Sequence, residues 1–220
     1  FCRRNRVRFV KCGILKMKNK IIAVIGAGGK TTLIHRLAEE YRRKGASVLV
    51  STTTHMLVEP DTDLSCDSFA VMEKIKKTGY CMAGAVCPEN SAKMQSLPEQ
   101  MLHDLMKQVD YALIEADGAK HYALKYPSEQ EPVIPKGTTD VILVLGSWDL
   151  GKPCKDVVFR FEHMTSALGI SGDMKADKQM LQWIWQAYEE KLKNMDYQGH
   201  FHVLLSEKTD QGLMFHTLEE

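Results

Sequence analysis

Apolar residues along this chain recur in two alternating periods. Ile21-Ile22-Ala23-Val24-Ile25 is a continuous apolar run with Lys20 before it and Gly26 after it, which predicts a strand buried on both faces of a parallel sheet. Leu33, Ile34, Leu37, Ala38 and Tyr41 follow at helical spacing, with Arg36, Glu39, Glu40, Arg42 and Arg43 on the other side. That pattern predicts an amphipathic helix. Glu39 with Arg43 and Glu40 with Lys44 add i,i+4 pairs, and Gly45 is placed to end the helix. Ala46-Ser47-Val48-Leu49-Val50 then predicts a second buried strand.

The alternation continues. Tyr111-Ala112-Leu113-Ile114, Val141-Ile142-Leu143-Val144-Leu145 and Val203-Leu204-Leu205 predict strands, and Glu99 to Gln108 predicts a helix. Leu181, Ile184, Trp185, Tyr188 and Leu192 form the apolar stripe of a further helix, at a spacing that predicts core packing. Ser68 to Val71 and Tyr80 to Val86 are weaker strand candidates around a short charged helix, Glu73 to Lys77. Tyr126 to Gly137, with Pro127, Pro132 and Pro135, predicts an irregular connection. Strands alternating with helices predict an α/β fold, a three-layer α/β/α domain with a mainly parallel sheet and ligands at the carboxyl ends of its strands.

The chain of 220 residues suits one such domain. Its longest apolar runs, such as Val141 to Leu145, fall far short of the roughly 20 residues that cross a bilayer. The first twenty residues hold eight Lys or Arg and no acid, so the remainder is mildly acidic, which argues against a nucleic-acid partner. Residues 1–16 are expected to lie outside the folded domain as a basic extension, with 17–220 forming a single domain. The cysteines (Cys2, Cys12, Cys66, Cys81, Cys87, Cys154) show no C-x-x-C spacing. Free thiols and a cytoplasmic compartment are the expectation. His200 and His202 share a strand face that reads as solvated rather than metal-binding.

Chemistry enters at the junction of the first strand and helix. Gly26-Ala27-Gly28-Gly29-Lys30-Thr31-Thr32 offers backbone N–H groups without obstructing side chains, a cation for phosphate and a hydroxyl for Mg²⁺. The motif G-x-x-x-x-G-K-[ST] would place a glycine where Val24 stands, so this loop is two residues shorter. Its form, G-x-x-G-K-T, locally resembles the loop of Mur-type ligases. The expectation is a P-loop NTPase-like domain that binds ATP or GTP with Mg²⁺.

Two later strand ends extend this set. Tyr111 to Ile114 runs into Glu115 and Asp117, and alternation along a strand would face both carboxylates the same way. The spacing Glu115-x-x-Gly118 resembles that of metal-insertion GTPases. One carboxylate would bind the metal and the other position the nucleophile, giving Lys30, Glu115 and Asp117 as the catalytic set; solvated carboxylates in a turn are the alternative. At the end of the second strand, Ser51-Thr52-Thr53-Thr54-His55 either places a threonine such as Thr54 on Mg²⁺ or the γ-phosphate, or caps the turn. Ser206-Glu207-Lys208-Thr209-Asp210 is similar to a guanine-reading N-K-x-D motif: Lys208 and Asp210 fit, but Glu207 replaces the asparagine. The preferred base stays open.

With these segments and Glu131-Pro132-Val133-Ile134-Pro135 in order, the chain resembles the YqeC family over about residues 20–210. Leu124-Lys125-Tyr126-Pro127 and Val141 to Gly146 also resemble its pattern, whereas His163-Met164 stands where a His-Arg pair is expected. The resemblance implies an accessory factor for selenium-dependent molybdenum hydroxylases, with a nucleotide and the client hydroxylase or other maturation proteins as partners. Lys30 would then hold the β- and γ-phosphates and Thr31 the Mg²⁺, with Glu115 or Asp117 completing the shell. A small-molecule kinase, a Mur-ligase-like ATP-dependent enzyme and a non-hydrolysing nucleotide-gated chaperone are the alternatives. Lys120, His121 and Lys125 are available to an acidic cofactor or partner, a solvated loop being the other reading.

Overall fold

The computed structural model describes residues 19–218, and the basic stretch 1–16 lies outside them. The elements begin with β1 (Lys20–Gly26), α1 (Lys30–Arg43), β2 (Val48–Thr52), β3 (His55–Leu57), α2 (Ser68–Thr78), β4 (Tyr80–Met82), β5 (Ala85–Val86), β6 (Lys93–Gln95) and α3 (Glu99–Gln108). They continue with β7 (Tyr111–Glu115), β8 (Leu124–Lys125), β9 (Asp140–Gly146), α4 (Cys154–Val157), β10 (Val158–Phe159), α5 (Phe161–Leu168), α6 (Lys178–Asn194), β11 (His200–Thr209) and β12 (Gly212–Thr217).

The central sheet has the order β12-β11-β9-β1-β7-β2-β4, and every neighbouring pair is parallel except the β11–β12 hairpin. The fold is therefore α/β with a mainly parallel sheet. Alternation along β1 decides the layers. Ile22 and Val24 join Leu33, Ile34 and Leu37 of α1 in one buried cluster. The intervening Ile21, Ala23 and Ile25 point to the other face, where they meet α2 and α3 on one side and α6 on the other. Helices thus cover both faces. Met56 of β3 and Met94 of β6, from a small three-stranded sheet, extend the α1 layer. Each fully buried leucine or isoleucine in these clusters contributes roughly 1.5–3 kcal/mol.

Helix α1 ends as its sequence predicts. Gly45, at φ 78°, donates its N–H to the Arg42 carbonyl at 2.9 Å, and the next N–H, of Ala46, reaches back to Tyr41 at 3.1 Å. The Glu39–Arg43 and Glu40–Lys44 pairs form at 2.9 and 2.6 Å. The irregular connection from residue 126 to 137 and helix α3 also match their expectations.

Two expectations are corrected. Ser68 to Val71 is helical, not extended, because the Asp67 side chain accepts hydrogen bonds from the N–H groups of Phe69 and Ala70 and starts α2 there. The segment Tyr80 to Val86 is two strands, not one; β4 stays in the main sheet and β5 joins the small one. Cys66, Cys81, Cys87 and Cys154 are free thiols. No helix among the described residues is long and apolar enough to cross a membrane.

Candidate functional site

Sheet register brings the site together before any side chain does. β1 lies between β7 and β9, with Val24 level with Glu115 and Gly26 level with Val144; on the far side of β7, Thr52 is level with Glu115. The glycine loop therefore leaves its strand beside the end of the carboxylate strand. At Gly26, φ is 87° and a Cβ would collide with the Val144 carbonyl oxygen. At Gly28, φ is 81° and a Cβ would lie 2.6 Å from Gly146 and 2.7 Å from the Ala123 carbonyl. Only glycine fits this close approach. Ser206 donates to the Gly28 carbonyl from behind. Among the described residues the N–H groups of Gly28 and Gly29 have no acceptor, and α1 begins directly after them with its own first-turn N–H groups.

Lys30 and Thr31 occupy the first turn of α1. The Lys30 ammonium donates to the Gly26 carbonyl at 2.9 Å and lies 3.5 Å from Asp117 and 3.9 Å from Glu115. The Thr31 hydroxyl donates to Glu115 Oε2 at 2.9 Å. Burial pushes the Glu115 carboxyl above its usual range, opposed chiefly by the Lys30 charge.

The two carboxylates differ in what they can touch. Glu115 lines a cavity of 860 Å³ together with Gly28, Gly29, Lys30, Thr31 and Thr32. Asp117 is fully buried and does not line it. Its Oδ2 accepts from the Gly26 N–H at 3.1 Å and the Tyr188 hydroxyl at 2.7 Å, and Lys125 lies 3.3 Å away. Its Oδ1 has no hydrogen-bond donor among the described residues and faces only Lys30. Behind it, Lys125 pairs with Glu131 at 2.6 Å, and Glu131 with Arg160 at 2.7 Å. Burial, reinforced by Asp117, holds the Tyr188 hydroxyl well above its usual range, so it stays a donor.

A family model described as YqeC protein matches residues 22–162, a span that includes the loop, both carboxylates, Lys125, Glu131 and Arg160. The chain belongs to the YqeC family. It is similar to a protein of Escherichia coli (strain K12) described as "Uncharacterized protein YqeC", 34% identical over 161 residues that cover 70% of this chain and 62% of that protein. The chain thus spans less than two thirds of that relative's length. No solved structure matches.

Within this YqeC-family chain, the other expected residues fall into place unevenly. Thr52 is buried; its hydroxyl donates to the Glu115 carbonyl at 2.9 Å and accepts from the Thr54 N–H at 3.0 Å, so it caps the turn. Thr54 and Lys208 line the cavity, whereas Gly26 and Ala27 stand behind the loop surface. Lys208 is a strand residue, paired with Leu213 across the β11–β12 hairpin, with its ammonium 4.5 Å over the Trp148 ring. Asp210 sits exposed in the hairpin turn, outside the cavity lining. The expected base-reading pair is not brought together, because the strand continues past Leu205 to Thr209. Lys125 is fully buried, with its ammonium held between Asp117 and Glu131, so it is not on the surface.

The sequence did not signal the clamp that Tyr188, Lys125 and Glu131 form behind Asp117, nor the separate hydrogen bond from Ser206 to the Gly28 carbonyl. Tyr188 carries one weak signal, a hydroxyl within an otherwise apolar stripe. A buried hydroxyl must find a partner.

Proposed function

We propose that this protein binds an Mg²⁺–nucleoside triphosphate, ATP or GTP, at the Gly26–Thr32 loop and hydrolyses it. The family resemblance suggests that the cycle serves the maturation of a selenium-dependent molybdenum hydroxylase. One observation carries the reading: the Lys30 ammonium, the Thr31 hydroxyl and the Glu115 carboxylate converge at one cavity beside the acceptor-free N–H groups of Gly28 and Gly29. The adjacency of β1 and β7 supports a phosphate-loop fold.

The donor set fits Mg²⁺. Thr31 and Glu115 offer one hydroxyl and one carboxylate, leaving the other positions to phosphate oxygens and water, as suits an ion that keeps several waters. When bound, the ion neutralises charge on the phosphate oxygens. Lys30 leaves the Gly26 carbonyl to reach the β- and γ-phosphates, while Gly28 and Gly29 donate their N–H groups. Thr54 lines the same cavity and would meet the γ-phosphate or the ion. Asp117 is a positioning residue: it fixes the Gly26 N–H and the resting place of Lys30 without touching the ligand. That leaves Glu115 to orient the attacking water or the metal.

The test is a binding and hydrolysis panel with ATP and GTP, with and without Mg²⁺. Lys30→Ala is expected to lower turnover by about 10²-fold or more. A Lys30→Ala protein that binds and hydrolyses as well as wild type sinks the proposal.

A further inference from the structure

The cavity holds more charge than a phosphate loop needs. Its volume, 860 Å³, lies toward the upper end of the roughly 300–1,000 Å³ of small-molecule sites. Five Lys or Arg residues line it, Lys30, Lys93, Lys120, Arg160 and Lys208, against two carboxylates, Glu115 and Glu131. Both carboxylates are engaged, Glu115 by Thr31 and Lys30, Glu131 by Lys125 and Arg160. Among the described residues, Lys93, Lys120 and Lys208 make no ion pair.

One wall concentrates this surplus. The segment Gly118 to Tyr122 leaves the carboxylate strand and passes the loop, with the Ala123 carbonyl packed against Gly28. Lys120 and His121 are both exposed and both left-handed, at φ 45° and 65°, a conformation that residues with side chains seldom adopt. The Phe159 ring has the Lys120 ammonium 5.3 Å and the Arg160 guanidinium 5.3 Å from its centre, and the Tyr122 ring tilts against it at 5.6 Å. Arg160 pairs ionically with Glu131 at 2.7 Å, and its buried Nη1 has no hydrogen-bond partner among the described residues. Two cations gathered on the Phe159 ring, with the exposed Tyr122 ring tilted against it, suit a ligand with a negative group on a flat body.

We propose that this wall, Lys120, His121, Tyr122 and Arg160, is a second subsite that takes a small organic anion, a phosphate or carboxylate borne on a flat ring, while a nucleotide occupies the glycine loop. The inference rests on the nucleotide reading above and adds a second ligand to it.

The test uses the full chain in calorimetry. MgADP or MgGDP is titrated first, and phenyl phosphate or benzoate is then titrated into the nucleotide-saturated protein. One equivalent of phenyl phosphate or benzoate is expected to bind without displacing nucleotide; the tighter of the two tells phosphate from carboxylate. Lys120→Ala/His121→Ala, which alters only exposed side chains, is expected to weaken that second binding about tenfold or more, and Lys120→Arg to retain it. If neither probe binds, if either displaces nucleotide one for one, or if the double variant binds as wild type does, the second subsite is overturned and the nucleotide reading stands. If no nucleotide binds in the first titration, the nucleotide reading fails and the second subsite falls with it.

Discussion

Asp117 shows how a carboxylate at a candidate catalytic position can be structural. It lies fully buried, and its Oδ2 receives the Tyr188 hydroxyl and the Gly26 N–H. Tyr188→Phe removes one donor and leaves a buried charge short of a hydrogen bond, which is expected to cost about 1–3 kcal/mol of stability. A urea midpoint unchanged from wild type would contradict that clamp. Glu115 makes a pH prediction. Burial raises its folded value above the ordinary 4.5, so between the two values the folded chain holds the proton more tightly than the unfolded chain. The associated stability is present in full below 4.5 and is lost as pH rises through the folded value. Wild type is therefore expected to lose urea resistance relative to Glu115→Gln across that window. A flat difference between the two proteins would contradict the raised value.

At the scale of elements, the strand–loop–helix unit depends on its glycines. Gly28→Ala would force a side chain onto φ 81° and against Gly146 and the Ala123 carbonyl. The expected loss is about 1–3 kcal/mol of stability, with nucleotide affinity falling alongside, read by urea unfolding and nucleotide titration. Element identity was readable where period and length agreed, as in α1, α3, β7 and β9. It failed at Ser68 to Val71, where a single capping side chain on Asp67 outweighed local strand preference. It was incomplete at β11, where pairing with β12 extends the strand through polar Glu207 and Lys208. Such residues give no apolar signal, because their ladder partner lies in the next strand.

For the whole molecule, ligand linkage offers the broadest check. Nucleotide at 100 times its dissociation constant is expected to stabilise the fold by about 2.7 kcal/mol, a rise in Tm of roughly 5–10 °C for a chain of this size. No rise with either MgATP or MgGTP would count against a nucleotide site. By itself the sequence determined the alternation of strands and helices, the glycine loop with Lys30 and Thr31, and the carboxylates that follow a strand, because these are local patterns of period and spacing. Only the tertiary structure decided that Glu115 faces the cavity while Asp117 is sealed behind it by Tyr188 and Lys125. It also decided that Lys208 comes to the cavity and Asp210 does not. The physical reason is that burial and partnership depend on contacts such as that of Asp117 with Tyr188, 71 residues apart in the chain, and no local spacing encodes which face of a turn the packed helix will cover.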